Sequence, residues 1–69
     1  MKRRTILKEI GNEFLNLYQA PGYFYFEYDN GVDYQTHSVY VDRVSHLFIE
    51  EWVSIGKEFI QNVEDMKND

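Results

Sequence analysis

The chain has 69 residues, a formal net charge of −5 and no cysteine, and 17 % of its residues are aromatic. This length suits a single domain over residues 1–69, and the lack of cysteine excludes a disulfide framework or a zinc-thiolate site. No apolar run approaches the roughly 20 residues of a membrane-spanning helix. The basic start is followed by only two apolar residues, so we expect no signal peptide and a cytoplasmic protein without membrane partners.

Charge is distributed unevenly along the chain. Four of the seven basic residues lie within residues 2–8, whereas from Glu9 onward there are twelve acidic residues and only three basic ones. The body of the protein should therefore repel the phosphates of nucleic acids and membranes, and it should attract a basic protein surface.

Residues 2–18 are predicted to form the first helix. Its apolar positions recur at spacings of four, four and three, namely Ile6, Ile10, Phe14 and Leu17. Either Thr5 caps the start of the helix, or the basic residues before it form a frayed first turn. Ala20-Pro21-Gly22 is expected to end the helix, because proline lacks a donor N–H and disfavours helical geometry before it.

Residues 23–29 are predicted to form a strand, which is the first strand of a hairpin. Alternation gives it a more apolar side, formed by Phe24, Phe26 and Tyr28, and a second side formed by Tyr23, Tyr25 and Glu27. Asn30-Gly31 is typical of a hairpin turn, because both residues tolerate a positive φ. The second strand is predicted over residues 33–41.

Two registers are compatible with this hairpin. A two-residue Asn-Gly loop pairs Phe26 with Gln35, whereas a three-residue loop with a bulge pairs Phe26 with Thr36. We favour the bulged form, in which Gln35 and His37 lie on the tyrosine side of the first strand.

Residues 46–66 are predicted to form the second helix. Its apolar stripe has helical spacing and consists of Ile49, Trp52, Val53, Phe59, Ile60, Val63 and Met66. Gly56 lies in the same stripe and costs about 1 kcal/mol relative to alanine, so it indicates close approach by another backbone. Gly11, near the stripe of the first helix, is interpreted in the same way.

The connection before this helix contains candidate capping residues. Ser45 or Asp42 is expected to cap the helix, and Leu47 and Phe48 are expected to staple its start.

These elements predict a small α+β domain of order αββα, in which an antiparallel β-hairpin packs against two helices. A lone hairpin is only marginally stable, so both helices should cover one of its sides and leave the other exposed.

No set of residues predicts catalysis, and we expect neither a cofactor nor a metal. His37 near Asp33 and Glu27 comes closest to an acid–base or metal site, but one histidine among scattered carboxylates is more typical of a surface residue. His46 beside Ser45 is typical of a helix start. A small enzyme or metal protein that uses His37 is the least favoured hypothesis.

Exposed tyrosines also suggest platforms on which single-stranded bases stack, at Tyr23, Tyr25, Tyr34 and Tyr40. Such sites normally lie in a basic groove. Because this chain is acidic, nucleic acid is a disfavoured partner.

The sequence thus predicts a non-enzymatic protein-binding module that docks on a basic surface of a larger host protein. The predicted contacts are Tyr23, Tyr25, Glu27, Asp29, Asp33 and Tyr34. Small phage and mobile-element proteins that block host nucleases or polymerases by imitating phosphate charge are often of this size and charge, which is an analogy of class only. The alternative is a homodimeric structural or regulatory protein with no role as a nucleic-acid mimic.

Overall fold

The computed structural model describes residues 1–67 and consists of two helices packed on a three-stranded antiparallel sheet. The elements in chain order are α1 (Arg3–Ile10), β1 (Leu15–Ala20), β2 (Tyr23–Asp29), β3 (Tyr34–Val39), a 3₁₀ turn (Val44–His46) and α2 (Ile49–Lys67). β2 is the central strand. The α+β class is confirmed, but the order is αβββα rather than αββα. Residues 68 and 69 of the predicted domain lie outside the described residues.

The predicted helix over residues 2–18 is wrong beyond Ile10. Gly11 ends α1 in the left-handed conformation, with φ +75°. The chain then forms β1, where buried Leu15 and Leu17 alternate with exposed side chains. The apolar residues of this segment fit a period of two as well as one of 3.6, and the left-handed glycine separates the two elements.

The segment expected to stop a helix instead joins two strands. Ala20 pairs with Tyr23, so Pro21 and Gly22 form a two-residue turn between β1 and β2. Gly22 has φ +84°, which glycine adopts without steric cost.

The register of β2 and β3 differs from both predicted pairings. Phe26 lies opposite His37, which leaves a four-residue loop at residues 30–33, and β3 is shorter than predicted. His37 and Gln35 therefore share the side of the phenylalanines. The favoured bulged register, which placed them with the tyrosines, is wrong.

Asn30 organises this loop through its side chain. Its Oδ1 atom accepts the N–H groups of Val32 and Asp33 at 2.9 and 2.7 Å, while Gly31 takes φ +86°. Asn30 thus acts from the first position of a wider loop. The predicted two- and three-residue loops gave it a place in the turn but no such side-chain role.

Both helices pack on the phenylalanine side of the sheet, around Trp52. Its fully buried ring contacts Phe24 and Phe26 edge-on, at centroid distances of 5.4 and 6.1 Å. The indole N–H donates to the carbonyl oxygen of Val44 at 2.8 Å, so the one polar atom of the ring is satisfied. Ile6 brings α1 into the same core.

Gly56 lets α1 and the sheet approach α2. A Cβ atom added there would collide with Cδ1 of Ile10 and would lie 3.3 Å from the ring of Phe26. Close approach at Gly56 is thus present, but side chains make it, not another backbone as predicted. The same interpretation of Gly11 is wrong, because that residue is exposed and ends its helix.

The predicted N-caps are also wrong. Lys2, not Thr5, precedes α1, and no side chain caps that helix. α2 begins at Ile49 rather than at residue 46. Ser45 lies within the 3₁₀ turn and Asp42 lies before that turn, so neither residue directly precedes α2.

Glu51 serves the start of α2 instead. Its carboxylate accepts the backbone N–H of Phe48 at 3.0 Å, which is one half of a capping box. Of the two residues predicted to staple the helix, Leu47 packs against the core, whereas Phe48 is 77 % exposed.

Replacing Trp52 by Phe should lower the free energy of unfolding by about 2–4 kcal/mol, because buried ring atoms are lost and the Val44 carbonyl loses the shorter of its two hydrogen bonds. Phe48→Ala, at an exposed ring just before the same helix, should change it by less than about 0.5 kcal/mol. Urea unfolding followed by far-UV circular dichroism measures both values. Equal losses in the two variants would contradict the central position of Trp52.

Gly56→Ala should destabilise the protein by about 1–3 kcal/mol despite the better helix propensity of alanine, because the added methyl group overpacks the contact with Ile10 and Phe26. Ile10→Val removes the colliding Cδ1 atom, so Gly56→Ala should be less costly in that background. A double-mutant cycle from thermal unfolding measures this coupling. Strictly additive effects would show that the two residues do not meet as described.

Candidate protein-binding face

The side of the sheet away from the helices carries tyrosines and carboxylates. Alternation along β2 buries its phenylalanines and turns the intervening residues outward. Strand pairing then aligns Tyr18 of β1 with Tyr25, and Tyr34 of β3 with Asp29. We call this surface the tyrosine face, and it consists of Tyr18, Tyr23, Tyr25, Glu27, Asp29, Tyr34 and Tyr40.

Four of these tyrosines form a continuous row across the sheet. The ring centroids lie 5.4 Å apart for Tyr18 and Tyr25, 6.2 Å for Tyr25 and Tyr23, and 5.9 Å for Tyr23 and Tyr40. The rings support one another, yet 39 % of Tyr18 and 80 % of Tyr40 remain exposed. The row therefore presents four aromatic rings, in contact with one another, on one exposed side of the sheet.

Glu27 and Tyr34 are joined across the two strands of the hairpin. The Tyr34 hydroxyl donates to Oε2 of Glu27 at 3.0 Å. This hydrogen bond, followed by partial desolvation and the negative charge of Glu27, raises the pKa of the Tyr34 phenol. Tyr34 therefore stays a neutral donor, and it holds the Glu27 carboxylate in one orientation.

The other two predicted carboxylates lie at the hairpin loop. Asp29 is the last residue of β2, and its Oδ1 atom accepts the N–H of Gly31 at 3.0 Å. Asp33 is half-buried within the loop, where the Asn30 amide donates to its Oδ2 atom at 3.4 Å. The structure thus brings five of the six predicted contact residues to the tyrosine face, while Asp33 lies in the adjoining loop.

Tyr18 is the member of the face that sequence reasoning missed. It was assigned to the first helix, whereas it lies on β1 beside Tyr25. The alternation of Leu15 and Leu17 with Asn16 and Tyr18 is a signal for this strand, but a helical period fits the same apolar residues. Tyr40 was considered only as a base-stacking platform, and its ring continues the row from Tyr23.

The charge of the tyrosine face is not neutralised. The sequence has no lysine or arginine between Lys8 and Arg43. Within residues 1–67, the partners of the Glu27 and Asp29 carboxylates are the Tyr34 hydroxyl and a backbone N–H. A ligand on this face therefore meets two carboxylates beside an aromatic row.

The histidines lie away from this face. His37 stacks on Phe59 of α2, with ring centroids 5.6 Å apart and planes at 26°. It borders a hollow of about 130 Å³ whose other walls are Ile55, Glu58, Phe59 and Asn62. His46 is exposed in the 3₁₀ turn. Over the described part of the chain, no group of three or more histidines or carboxylates has the arrangement of a metal site.

A shallow groove of about 570 Å³ lies on the other side of the molecule, between Glu9 of α1 and the first turns of α2. Its walls are Glu9, Ile49, Glu50, Val53, Ser54 and Lys57.

Neither helix within residues 1–67 has the length and apolar content needed to cross a bilayer.

Comparison of the chain with protein families, with curated proteins and with solved structures gave no match.

Replacing Glu27 by Gln should bring the pKa of Tyr34 down towards its ordinary value, because the charged acceptor that favours the protonated phenol is lost. In the native protein, the stabilisation from this bond is present below the ordinary tyrosine pKa and disappears as the pH rises through the raised one. Nuclear magnetic resonance titration of the phenol carbons measures the pKa.

The Tyr34→Phe variant removes one titrating signal and so assigns it. An unchanged Tyr34 titration in Glu27→Gln would contradict the hydrogen bond between the two residues.

Proposed function

We propose that the protein is a non-enzymatic binding module whose tyrosine face docks on a basic surface of a larger protein. The observation that carries this proposal is the row of four contacting tyrosines beside Glu27 and Asp29, neither of which has a basic partner within residues 1–67. The partner class that fits this chemistry is a host protein that binds nucleic acid. The module would act as an inhibitor or modulator of phage or mobile-element type.

The tyrosines supply the contact area in this proposal. Tyrosine is enriched among residues that dominate binding energy, because its large ring loses little entropy on burial and its hydroxyl can form hydrogen bonds. Tyr25 lies between Tyr18 and Tyr23 in the row, so its removal disrupts two ring contacts at once.

The carboxylates favour a partner whose surface is positively charged. Lysine or arginine side chains that normally hold phosphate groups can instead contact Glu27 and Asp29. Nucleic acid itself is a poorer partner, because its phosphates would approach these two charges without any basic residue from the sheet. Partner binding should therefore weaken steeply as salt rises.

Affinity capture with matched variants tests this function. The immobilised protein is incubated with host lysate at about 50 mM and about 500 mM salt, on either side of physiological screening, and the captured proteins are identified by mass spectrometry. For a protein retained at low salt, the amount captured should fall about tenfold or more with Glu27→Gln/Asp29→Asn, and by a similar factor with Tyr25→Ser. A duplex oligonucleotide should release it by competition.

The control is Glu64→Gln/Asp65→Asn, which makes the same charge change at exposed positions of α2. This variant should retain the partner as the native protein does. Retention that is equal in all variants, or lost equally in the control, would refute docking through the tyrosine face. Failure of the oligonucleotide to compete would refute the nucleic-acid-binding class of partner.

A further inference from the structure

β3 forms an open edge of the sheet. The Asp29 N–H donates to Phe14, so the odd-numbered residues of β2 bond to β1 and its even-numbered residues bond to β3. With Phe26 opposite His37, the odd-numbered residues of β3 bond to β2. The N–H and C=O groups of Tyr34, Thr36 and Ser38 therefore point away from the sheet. Within residues 1–67, these groups have no hydrogen-bond partner.

The opposite edge of the sheet is partly covered. α1 lies against β1, and the guanidinium of Arg3 donates to the outward carbonyl of Leu17 at 3.4 Å. This contact occupies a group that another strand would need. The two edges therefore differ, and β3 is the one that is free to pair.

β3 also lacks the features that normally prevent edge pairing. Proteins protect such edges with charged residues, proline, bulges or a covering element. The sequence Tyr-Gln-Thr-His-Ser-Val contains no acid, lysine, arginine, proline or glycine, and it pairs with β2 without a bulge. In a chain with a net charge of −5, the strand itself carries no acidic residue that would repel the same strand of a second copy.

We propose that β3 pairs antiparallel with β3 of a second copy, about a two-fold axis at His37, to form a continuous six-stranded sheet. This register pairs Thr36 with Ser38 of the second copy and continues one residue past the end of β3, to Tyr40. It also sets Tyr34 opposite Tyr40 of the second copy, and these are the two most exposed tyrosines of the tyrosine face. A two-fold axis at Thr36 would pair Tyr34 with Ser38 within β3, but it would leave Tyr40 opposite the loop residue Val32.

Repulsion between the carboxylates of the two copies opposes this dimer at low salt, although Glu27 contributes little to it. Glu27 lies one strand inward of Thr36, so the two copies of Glu27 are three strand spacings apart, which is about 14 Å. That separation exceeds the screening length of about 8 Å at physiological salt. Asp33 flanks the paired segment at the same end as Asp42 of the second copy, and Glu58 of α2 borders the hollow beside His37, near the axis. Dimerisation should therefore strengthen as salt rises, whereas the binding of a basic partner should weaken.

Sedimentation equilibrium of the full chain tests this pairing, from about 10 μM to about 1 mM, because a small edge interface is expected to be weak. The average mass should rise towards twice the 8.3 kDa of one chain, and more readily at high salt. Thr36→Pro should weaken association at least tenfold, because proline removes an outward N–H that the monomer does not use. Gln19→Pro removes an outward N–H on the β1 edge and should leave association unchanged.

Cross-linking provides a second measurement that does not depend on proline. The chain has no cysteine, so His37→Cys places one thiol on the proposed axis, where Cα atoms of directly opposite residues lie about 4.5 Å apart. Mild oxidation should cross-link this variant and not Ser54→Cys, an exposed position on α2. A monomer at all concentrations, equal association of the two proline variants, or equal cross-linking of the two thiols would overturn the proposal. Each of these results is independent of whether the tyrosine face binds a partner from the lysate.

Discussion

The burial of Trp52 between α2 and the sheet is the constraint on which the rest of the structure depends. Its ring meets Phe24 and Phe26 on one side of β2, and its N–H binds the chain just before the helix. Once that side is occupied, the alternation of β2 leaves the tyrosines on the other. The same tryptophan that stabilises the core therefore decides which side of the sheet is exposed.

The sequence predicted the Trp52 helix and a strand over residues 23–29, because each of these two segments has a strong hydrophobic period of its own. Those two elements were enough to predict the α+β class. It failed between Gly11 and Ala20, where six residues are too few to separate a strand from a helix by periodicity. The hairpin register failed for a different reason. The Asn30 side chain accepts two N–H groups and stabilises a wider loop than the Asn-Gly pair suggests.

The candidate site shows the same limits. Tyr23, Tyr25 and Glu27 share a side through the alternation of one strand, which sequence alone reveals. Tyr34 joins them only because β3 is shifted against β2, and Tyr18 joins only because residues 15–20 form a strand at all. Cross-strand neighbours follow from register, and register is a tertiary property that a single sequence specifies weakly. The ring row and the bond between Tyr34 and Glu27 were therefore beyond prediction.

The alternation of β2 also places residues under two different constraints within one strand of seven residues. One constraint is the stability of the core, which contains Phe24, Phe26 and Tyr28. The core does not contain their immediate neighbours Tyr23, Tyr25 and Glu27. Mutations at the second set should therefore cost the monomer less stability than mutations at the first. A protein built in this way can change what it recognises, one substitution at a time, while its fold stays constant.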